Sequence, residues 1–165
     1  MSKITMRPAK PSELGTVEDL LTEASVWLAQ RGIDQWQFPP HRDRITHAIE
    51  HGECFIAEMD GTIIGTITLD AHPDPEFWVA DDEPNDALYV HRMAVTRKAA
   101  GAGVGAVMLE WASKRAAEAG KGWLRLDAWR TNEGLHRYYT DQGFTLVRIV
   151  SLAHRGSGAL FQRPT

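Results

Sequence analysis

The chain has little cysteine, no long apolar run and no excess of positive charge. Its one cysteine, Cys54, can form neither an intramolecular disulfide nor a cysteine-based zinc site, and we expect no bound metal. Cys54 lies in the alternating run ECFIAEM, which is typical of a strand. We therefore expect a buried and unreactive thiol.

Membrane and export signals are also missing. No segment approaches the ~18 consecutive apolar residues of a membrane span, and the first ten residues, MSKITMRPAK, contain no signal-peptide core. We expect a cytoplasmic protein that has no membrane partner.

Negative charges outnumber positive ones, with 22 Asp and Glu against 18 Lys and Arg. This balance argues against nucleic acid as the main partner. The acidic segment 70–86 contains no Lys or Arg. Such a segment is typical of a solvated loop, and it would also suit attraction of a cationic substrate.

The length of 165 residues predicts one domain, residues 1–165. Hydrophobic spacing and turn residues then divide the chain. We predict a strand at 3–7, helices at 12–30 and 43–52, a hairpin at 53–70, a loop at 71–86, a strand at 87–95, a helix ending near Ala119, a strand at 122–129, a helix at 132–142 and two closing strands. The strand-helix-strand unit at 88–129 requires a right-handed parallel crossover. A mixed α/β sheet covered by helices is the predicted fold class.

Three alternate glycines, Gly101, Gly103 and Gly105, stand between the strand at 87–95 and the following helix. Glycines let the backbone turn sharply beside a ligand, and a helix start presents unpaired N–H groups. Together they predict a site for phosphate or pyrophosphate.

Several phosphate ligands fit this pattern. The helix opens GVGAVM without the Lys-Ser/Thr of a nucleoside-triphosphate loop. The run GAGVGA fits a dinucleotide fingerprint, and Asp127 ends the next strand, but five residues separate Val95 from Gly101. A purely structural turn is the remaining alternative.

The run MAVTRKAAGAGVGAVML resembles the acyl-CoA pyrophosphate loop of GNAT superfamily N-acetyltransferases, A-V-x-x-x-x-[QR]-x-x-G-x-[GA]. Gly103 and Gly105 fill the two small positions, and Ala100 stands where Gln or Arg is customary. Any contact from that position must come from backbone N–H groups, or from Arg97 or Lys98 nearby.

The later run NEGLHRYYTDQGF resembles the second signature of the same superfamily, N-x-x-A-x-x-x-Y-x-x-x-G-F. Asn132, Tyr139, Gly143 and Phe144 match it, whereas Leu135 replaces the common Ala. The two signatures occur in the right order, and the resemblance covers nearly the whole chain in element order.

The resemblance implies a GNAT-like α/β fold, in which a mixed, mostly antiparallel central sheet with a splayed parallel strand pair is flanked by about four helices. It implies acetyl-CoA as co-substrate and a small-molecule primary amine as acceptor, with direct attack in a ternary complex. The implied cofactor-binding residues are Met93, Ala94, Val95, Ala100, Gly101, Ala102, Gly103, Val104, Gly105, Ala106, Asn132 and Tyr139.

Tyr139 matches the tyrosine that the superfamily generally uses as the acid for the leaving thiolate, and Tyr138 is expected in the core. Strand alternation places His91 on one face with Tyr89 and Met93, and its usual pKa suits a base or water relay. A structural histidine is an equal alternative. Glu53 and the acids of 74–86 are the other candidate bases.

In this superfamily the acceptor usually meets the segment joining the first two helices and the loop before the strand at 87. Trp27, Trp36 and Trp78 lie there and would suit a cationic amine, while Trp129 would border the acyl pocket. The alternative is that these tryptophans pack the core. A non-catalytic acyl-CoA-binding module, a protein or peptide N-acetyltransferase and a homodimer also stay open.

Overall fold

The computed structural model describes residues 3–33 and 41–165. In these residues seven strands form one mixed sheet in the order β1-β2-β3-β4-β5-β7-β6, with four α-helices. The strands are β1 (Ile4–Pro8), β2 (Cys54–Met59), β3 (Thr62–Asp70), β4 (Ala87–Val95), β5 (Trp123–Trp129), β6 (Thr145–Ile149) and β7 (Ser157–Pro164). The helices are α1 (Leu14–Gln30), α2 (Arg42–Glu50), α3 (Val104–Glu118) and α4 (Glu133–Asp141).

By its internal contacts the chain divides into two compact units. Unit 1 comprises Met1–Leu69 and Arg92–Leu109, and unit 2 comprises Asp70–His91 and Glu110–Thr165. The single domain that the sequence predicts stays a prediction, and the units are described in turn.

Unit 1 begins with three antiparallel strands, β1 to β3. The hairpin between β2 and β3 turns at Asp60 and Gly61, whose φ angles of 54° and 78° are both left-handed. That is the backbone an Asp-Gly turn favours, and the predicted hairpin is confirmed. Cys54 is buried as predicted, and burial raises the pKa of its thiol.

The core of unit 1 lies between the helices and the strands. Apolar faces of α1 and α2 pack on β2 and β4 there. The members are Ala9, Val17, Leu21, Ile45, Ala48, Ile49, Cys54, Ile56 and Ala94. This core supports the last residues of β4, from which the glycine-rich segment departs.

Unit 2 is centred on β5, which pairs in parallel with β4 and antiparallel with β7. The parallel register runs from Ala87 opposite Trp123 to Val90 opposite Leu126, whereas β4 continues to Val95 and β5 to Trp129. One apolar cluster on this sheet contains Phe77, Trp78, Ala87, Tyr89 and Leu160.

Helix boundaries differ from the predicted ones by one to two residues. The helix predicted at 43–52 is Arg42–Glu50, and the one predicted at 132–142 is Glu133–Asp141. Helix α4 begins one residue later than predicted because the Asn132 side chain accepts the Leu135 N–H and so caps the helix from outside.

Gly65 lies in close contact with its neighbours. A Cβ added there would lie 3.0 Å from the Ala94 carbonyl oxygen and 3.1 Å from the Met108 sulfur. Met108 can shift, but the backbone oxygen cannot. We predict that Gly65→Ala lowers the free energy of unfolding by about 1–3 kcal/mol, measured by urea denaturation.

Gly15→Ala is the matched control, because Gly15 lies in α1 and a Cβ added there would meet no atom within 4 Å. It should leave the free energy of unfolding unchanged or raise it by up to about 1 kcal/mol. Equal stability of the two variants would contradict the close approach at Gly65.

Candidate functional site

The segment between β4 and α3 in unit 1 has the backbone that its glycines predict. A 3-10 turn, Arg97–Ala99, leads into Gly101 and Gly103, whose φ angles of 82° and 73° lie in the left-handed region. No neighbouring atom lies within 4 Å of a Cβ built on either glycine. Glycine is therefore required here by backbone conformation and not by lack of space.

The amide groups of this segment fall into two sets. The Ala100 and Ala102 amides donate inside the turn, to the Arg97 and Ala99 oxygens at 3.1 Å and 3.2 Å. The first bond of α3 runs from the Val107 N–H to the Gly103 oxygen, at 3.2 Å. The amides of Gly101, Gly103, Val104, Gly105 and Ala106 donate to no backbone carbonyl of the described residues.

These five amides stand at the positive end of the α3 dipole, which makes the segment suited to an anion. Gly101 and Gly103 are exposed, and Arg97 and Lys98 are exposed in the preceding turn. The Ala100 and Ala102 amides are already engaged within the turn, and the cofactor contacts expected of these two residues stay predictions.

Helix α1 fixes this turn through Glu23. The Glu23 carboxylate accepts the Arg97 N–H at 2.6 Å and the Thr96 hydroxyl at 3.1 Å. The Arg97 guanidinium lies 4.0 Å from the Trp27 ring centroid, and that of Arg31 lies 4.1 Å from it. The Trp27 ring, predicted to border the acceptor, is therefore already in contact with two arginine side chains of the protein. Trp36, the other tryptophan predicted in this region, lies outside the described residues.

Strand β4 contains an irregularity at Arg92, whose φ of 46° is left-handed. For a non-glycine residue this conformation is uncommon and costs free energy. It interrupts the alternation on which the predicted common face of His91 and Met93 depends. Beyond it, Ala94 is buried in the unit 1 core, and Met93 and Val95 are half-buried.

In unit 2, His91 forms a pair with Asp70, the last residue of β3. His91 Nε2 lies 3.2 Å from Asp70 Oδ1, and both side chains are largely buried. The same carboxylate oxygen accepts the backbone N–H of His72 at 3.0 Å. Burial would raise the pKa of Asp70, but the hydrogen bond and charge of His91 outweigh it and hold that pKa below its usual value.

Tyr139 lies on the buried face of α4, with its ring among aromatic neighbours. Its centroid is 5.6 Å from that of Phe144 and 5.9 Å from that of Phe161. Among the described residues no group hydrogen-bonds to its hydroxyl. Burial, with the negative charge of Asp127, raises the pKa of Tyr139 well above its usual value, so the hydroxyl keeps its proton at neutral pH.

Asn132 caps the helix that carries Tyr139. Its side-chain oxygen accepts the Leu135 N–H at 3.1 Å, and the residue is buried. His136 in the first turn of α4 bonds through Nε2 to the Trp129 carbonyl oxygen at 2.7 Å. The second signature therefore has a structural role, because Asn132 caps α4 and the bond of His136 ties α4 to the end of β5.

The acidic segment before β4 is bound by arginines of unit 2. Arg148 contacts both oxygens of Asp82 and donates to the Phe77 carbonyl at 2.9 Å. Arg155 lies 2.5 Å from Asp74 and 3.2 Å from Glu76. Three of the acids that the sequence suggests for attraction of a cationic substrate, Asp74, Glu76 and Asp82, therefore pair with arginines of the same unit.

Arg125 anchors the end of the same segment from β5. It is only 2% exposed, and it donates to the Asp82 and Glu83 carbonyls and to Gln162. Its guanidinium lies 4.8 Å from the ring centroid of Trp78. Trp78 is therefore a buried member of the unit 2 core, and its expected contact with substrate stays a prediction.

Trp129 packs against the turn between β6 and β7. A Cβ on Gly156 would lie 2.1 Å from the indole, so the ring rests directly on the Gly156 backbone. Arg130 holds the same turn by donating to the carbonyls of Leu152, Arg155 and Gly156. The structure gives Trp129 this packing role, and its predicted border with an acyl pocket stays a prediction.

Comparison with known proteins identifies the family. The family model described as "Acetyltransferase (GNAT) family" matches residues 18–144. The chain belongs to the GNAT acetyltransferase family. It is 32% identical over 146 residues to the "Uncharacterized N-acetyltransferase YesJ" of Bacillus subtilis (strain 168), which covers 85% of this chain and 81% of that protein.

Solved GNAT structures share the fold. A GNAT family acetyltransferase from Listeria monocytogenes 4b F2365 matches with a TM-score of 0.77 and 28% identity, covering 98% of this chain and 95% of that chain. The PaiA N-acetyltransferase from Thermoplasma acidophilum, in complex with coenzyme A, matches with a TM-score of 0.75 and 18% identity over 99% of both chains.

Family membership confirms the predicted fold class and the predicted enzyme class, an acyl-CoA-dependent N-acetyltransferase. In residues 3–33 and 41–165 no three His, Cys, Asp or Glu side chains come together in a way that would hold a metal ion. No helix in these two ranges is both long enough and apolar enough to cross a bilayer.

Sequence reasoning missed three residues that organise the site: Asp70, Glu23 and Arg148. Each acts on a partner far away in the chain; His91 is 21 residues from Asp70, and Arg97 is 74 residues from Glu23. Their only local signal was a charged residue at a strand end or on a helix face, which is common on any protein surface.

Arg148 generates a prediction for the acidic segment. We expect Arg148→Gln to lower the free energy of unfolding by about 1–3 kcal/mol at pH 7, because it removes the Arg148 donor from the Asp82 carboxylate and from the Phe77 carbonyl. The hydrogen bond of Arg148 lowers the pKa of Asp82. The pair therefore stabilises the fold above the usual pKa of Asp, and this contribution is lost as pH falls through the lowered value.

Urea denaturation at several pH values and low salt measures the difference in the free energy of unfolding, which should shrink in acid as Asp82 takes up its proton. Arg137→Gln is the control, since Arg137 is exposed on α4. A difference between the Arg148 variant and the unmodified protein that did not change with pH would speak against the ion pair.

Proposed function

We propose that this protein transfers an acetyl group from acetyl-CoA to the primary amine of a small molecule, by direct attack in a ternary complex. The observation that carries the proposal is the group of five open amides at the start of α3, together with membership of the GNAT acetyltransferase family. The Thermoplasma acidophilum protein of the same fold was solved with coenzyme A, which supports acetyl-CoA as the donor.

The amides of Gly101, Gly103, Val104, Gly105 and Ala106 bind the pyrophosphate of the donor in this proposal. Arg97 and Lys98, both exposed beside them, supply the positive charge that Ala100 lacks. Residues 93–95 pair through their backbone with the pantetheine arm, as an added strand does. Asn132 contacts the donor in addition to capping α4.

The chemistry needs a neutral amine and a protonated leaving group. His91 accepts the proton of the amine, directly or through water, and the amine nitrogen attacks the thioester carbonyl carbon. A backbone amide near Met93 stabilises the oxyanion that forms. As the carbon–sulfur bond breaks, the Tyr139 hydroxyl donates its proton to the thiolate, and the products are an acetamide and coenzyme A.

The acceptor is proposed to be a small amine that carries positive charge. Tyr89 and Arg125 lie side by side on β4 and β5, with the Arg125 guanidinium 3.4 Å from the Tyr89 hydroxyl. Two residues further along these strands, His91 and Asp127 belong to that same face. Asp127 accepts a hydrogen bond from the neutral Ser157 hydroxyl, and its carboxylate suits an ammonium group of the acceptor.

Two expectations of the sequence stay predictions. A homodimer would cover Leu146 and Ile149, which are 45% and 53% exposed on the edge strand β6. Action on a peptide N-terminus requires an extended acceptor instead of a compact one. Screening tripeptides beside diamines and amino-acid esters, with CoA release as the signal, distinguishes the two acceptor classes.

Tyr139 provides the test of catalysis. We predict that Tyr139→Phe lowers kcat about 100-fold with the best amine of that screen, because the thiolate loses its acid. The KM for acetyl-CoA should change little. Tyr138→Phe is the matched control, since the neighbouring hydroxyl is outside the proposed reaction and its loss should leave kcat unchanged. Equal rates for both variants would exclude Tyr139 as the acid, and an inactive parent would favour a non-catalytic acyl-CoA-binding module.

Gly103 provides the test of the donor site. We predict that Gly103→Ala raises the Kd for acetyl-CoA at least several-fold, because it disturbs the amides that face the pyrophosphate. Gly120→Ala is the matched control, since Gly120 also has a left-handed φ, 76°, and open space but follows the other end of α3. Both should lower stability by about 1–2 kcal/mol. Calorimetric titration showing the same Kd for both variants would contradict the proposed pyrophosphate site.

A further inference from the structure

The Asp70–His91 pair has a fixed donor and acceptor. A carboxylate at neutral pH can only accept hydrogen bonds, and the pKa of Asp70 lies below its usual value although burial opposes this. The contact runs from His91 Nε2 to Asp70 Oδ1. The hydrogen must therefore sit on Nε2, which leaves the lone pair of the neutral ring on Nδ1.

Asp70 is itself held in place. It ends β3, and its Oδ1 also accepts the backbone N–H of His72 at 3.0 Å. The side chain is 11% exposed and that of His91 is 25% exposed. A carboxylate that is fixed by its own backbone turn and largely shielded from water can orient the ring that bonds to it.

We propose that Asp70 is a positioning residue that holds His91 in the Nε2–H tautomer, so that Nδ1 is the atom that receives the proton of the acceptor amine. This inference rests on the proposed function and adds to it the reacting atom and the residue that selects it. The same carboxylate stabilises the imidazolium that forms when Nδ1 is protonated. The proton then leaves from Nδ1 to water, and the ring returns to its starting tautomer.

Other titratable or charged groups face this pair. His72 follows Asp70 at the end of β3, and its charge acts on the Asp70 carboxyl. Tyr89 lies on β4 and interacts with the charge of Asp70, while Arg125 and Asp127 lie on the same face of β5. Arg125 is engaged with backbone carbonyls and the Tyr89 hydroxyl. The carboxylate that contacts the His91 ring is that of Asp70.

Imidazole nitrogen-15 NMR of the labelled full-length protein reads the tautomer without any ligand. The unmodified protein should show His91 protonated at Nε2 when the ring is neutral. Asn at position 70 has an amide that can donate to Nε2 as well as an oxygen that can accept from it, so in Asp70→Asn the share of the ring protonated at Nδ1 should rise. Asp81→Asn is the control, because Asp81 is an exposed acid of the following loop, and it should leave the His91 signals unchanged.

The catalytic consequence is measured as kcat/KM against pH, with the best amine of the screen. Asp70→Asn and His91→Gln should each lower kcat/KM near neutral pH on the order of 10²-fold, and the double variant should be no slower than either one. The loss should shrink at high pH, where the amine loses its proton unaided. A residue that only supports the fold would lower the rate equally at every pH.

Three results would overturn the inference: a ring proton on Nδ1 in the unmodified protein, an Asp70→Asn variant as fast as the parent, or a His91→Gln variant as fast as the parent. Each leaves acetyl transfer itself intact. If the proposed function itself were wrong, the unmodified protein would release no CoA with any amine.

Discussion

Four parallel residue pairs between β4 and β5 set the register on which much of unit 2 depends. The pairing puts Tyr89 beside Arg125, and Arg125 is almost completely buried. A buried guanidinium needs acceptors for its N–H groups, and the carbonyls of Asp82 and Glu83 supply them. The segment that leads into β4 is therefore fastened to β5 by the residue that the register brings inside. His91 follows two residues after Tyr89, at the point where this support ends.

Several acidic side chains of unit 2 form ion pairs with arginines of the same unit. Asp74, Glu76 and Asp82 pair with Arg148 and Arg155, so the acidic appearance of the segment in the sequence overstates the charge it offers to a ligand. Two carboxylates on the strands behave differently. Asp70 is bonded to a histidine, and Asp127 is bonded to a neutral hydroxyl. The proposed chemistry of the acceptor depends on these two side chains.

Residue type and short sequence patterns predicted the features that depend on neighbouring residues. The Asp60–Gly61 turn, the buried Cys54 and the left-handed glycines before α3 each follow from residue type and immediate context. The features that were missed depend on contacts between distant segments. Alternation along β4 could not show that Arg92 adopts a left-handed φ. Composition could not show that Trp78 lies under Arg125, or that Asp70 meets His91.

The central claim is that the open amides before α3 hold the pyrophosphate of acetyl-CoA. Thermal denaturation of the unmodified protein with acetyl-CoA, NAD or ATP in separate samples tests it most directly. A ligand present at 100 times its Kd adds about 2.7 kcal/mol to the free energy of unfolding, which is readily seen as a higher Tm. The account predicts that acetyl-CoA raises the Tm and that NAD and ATP do not. A rise with NAD alone, or no rise with acetyl-CoA, would contradict it.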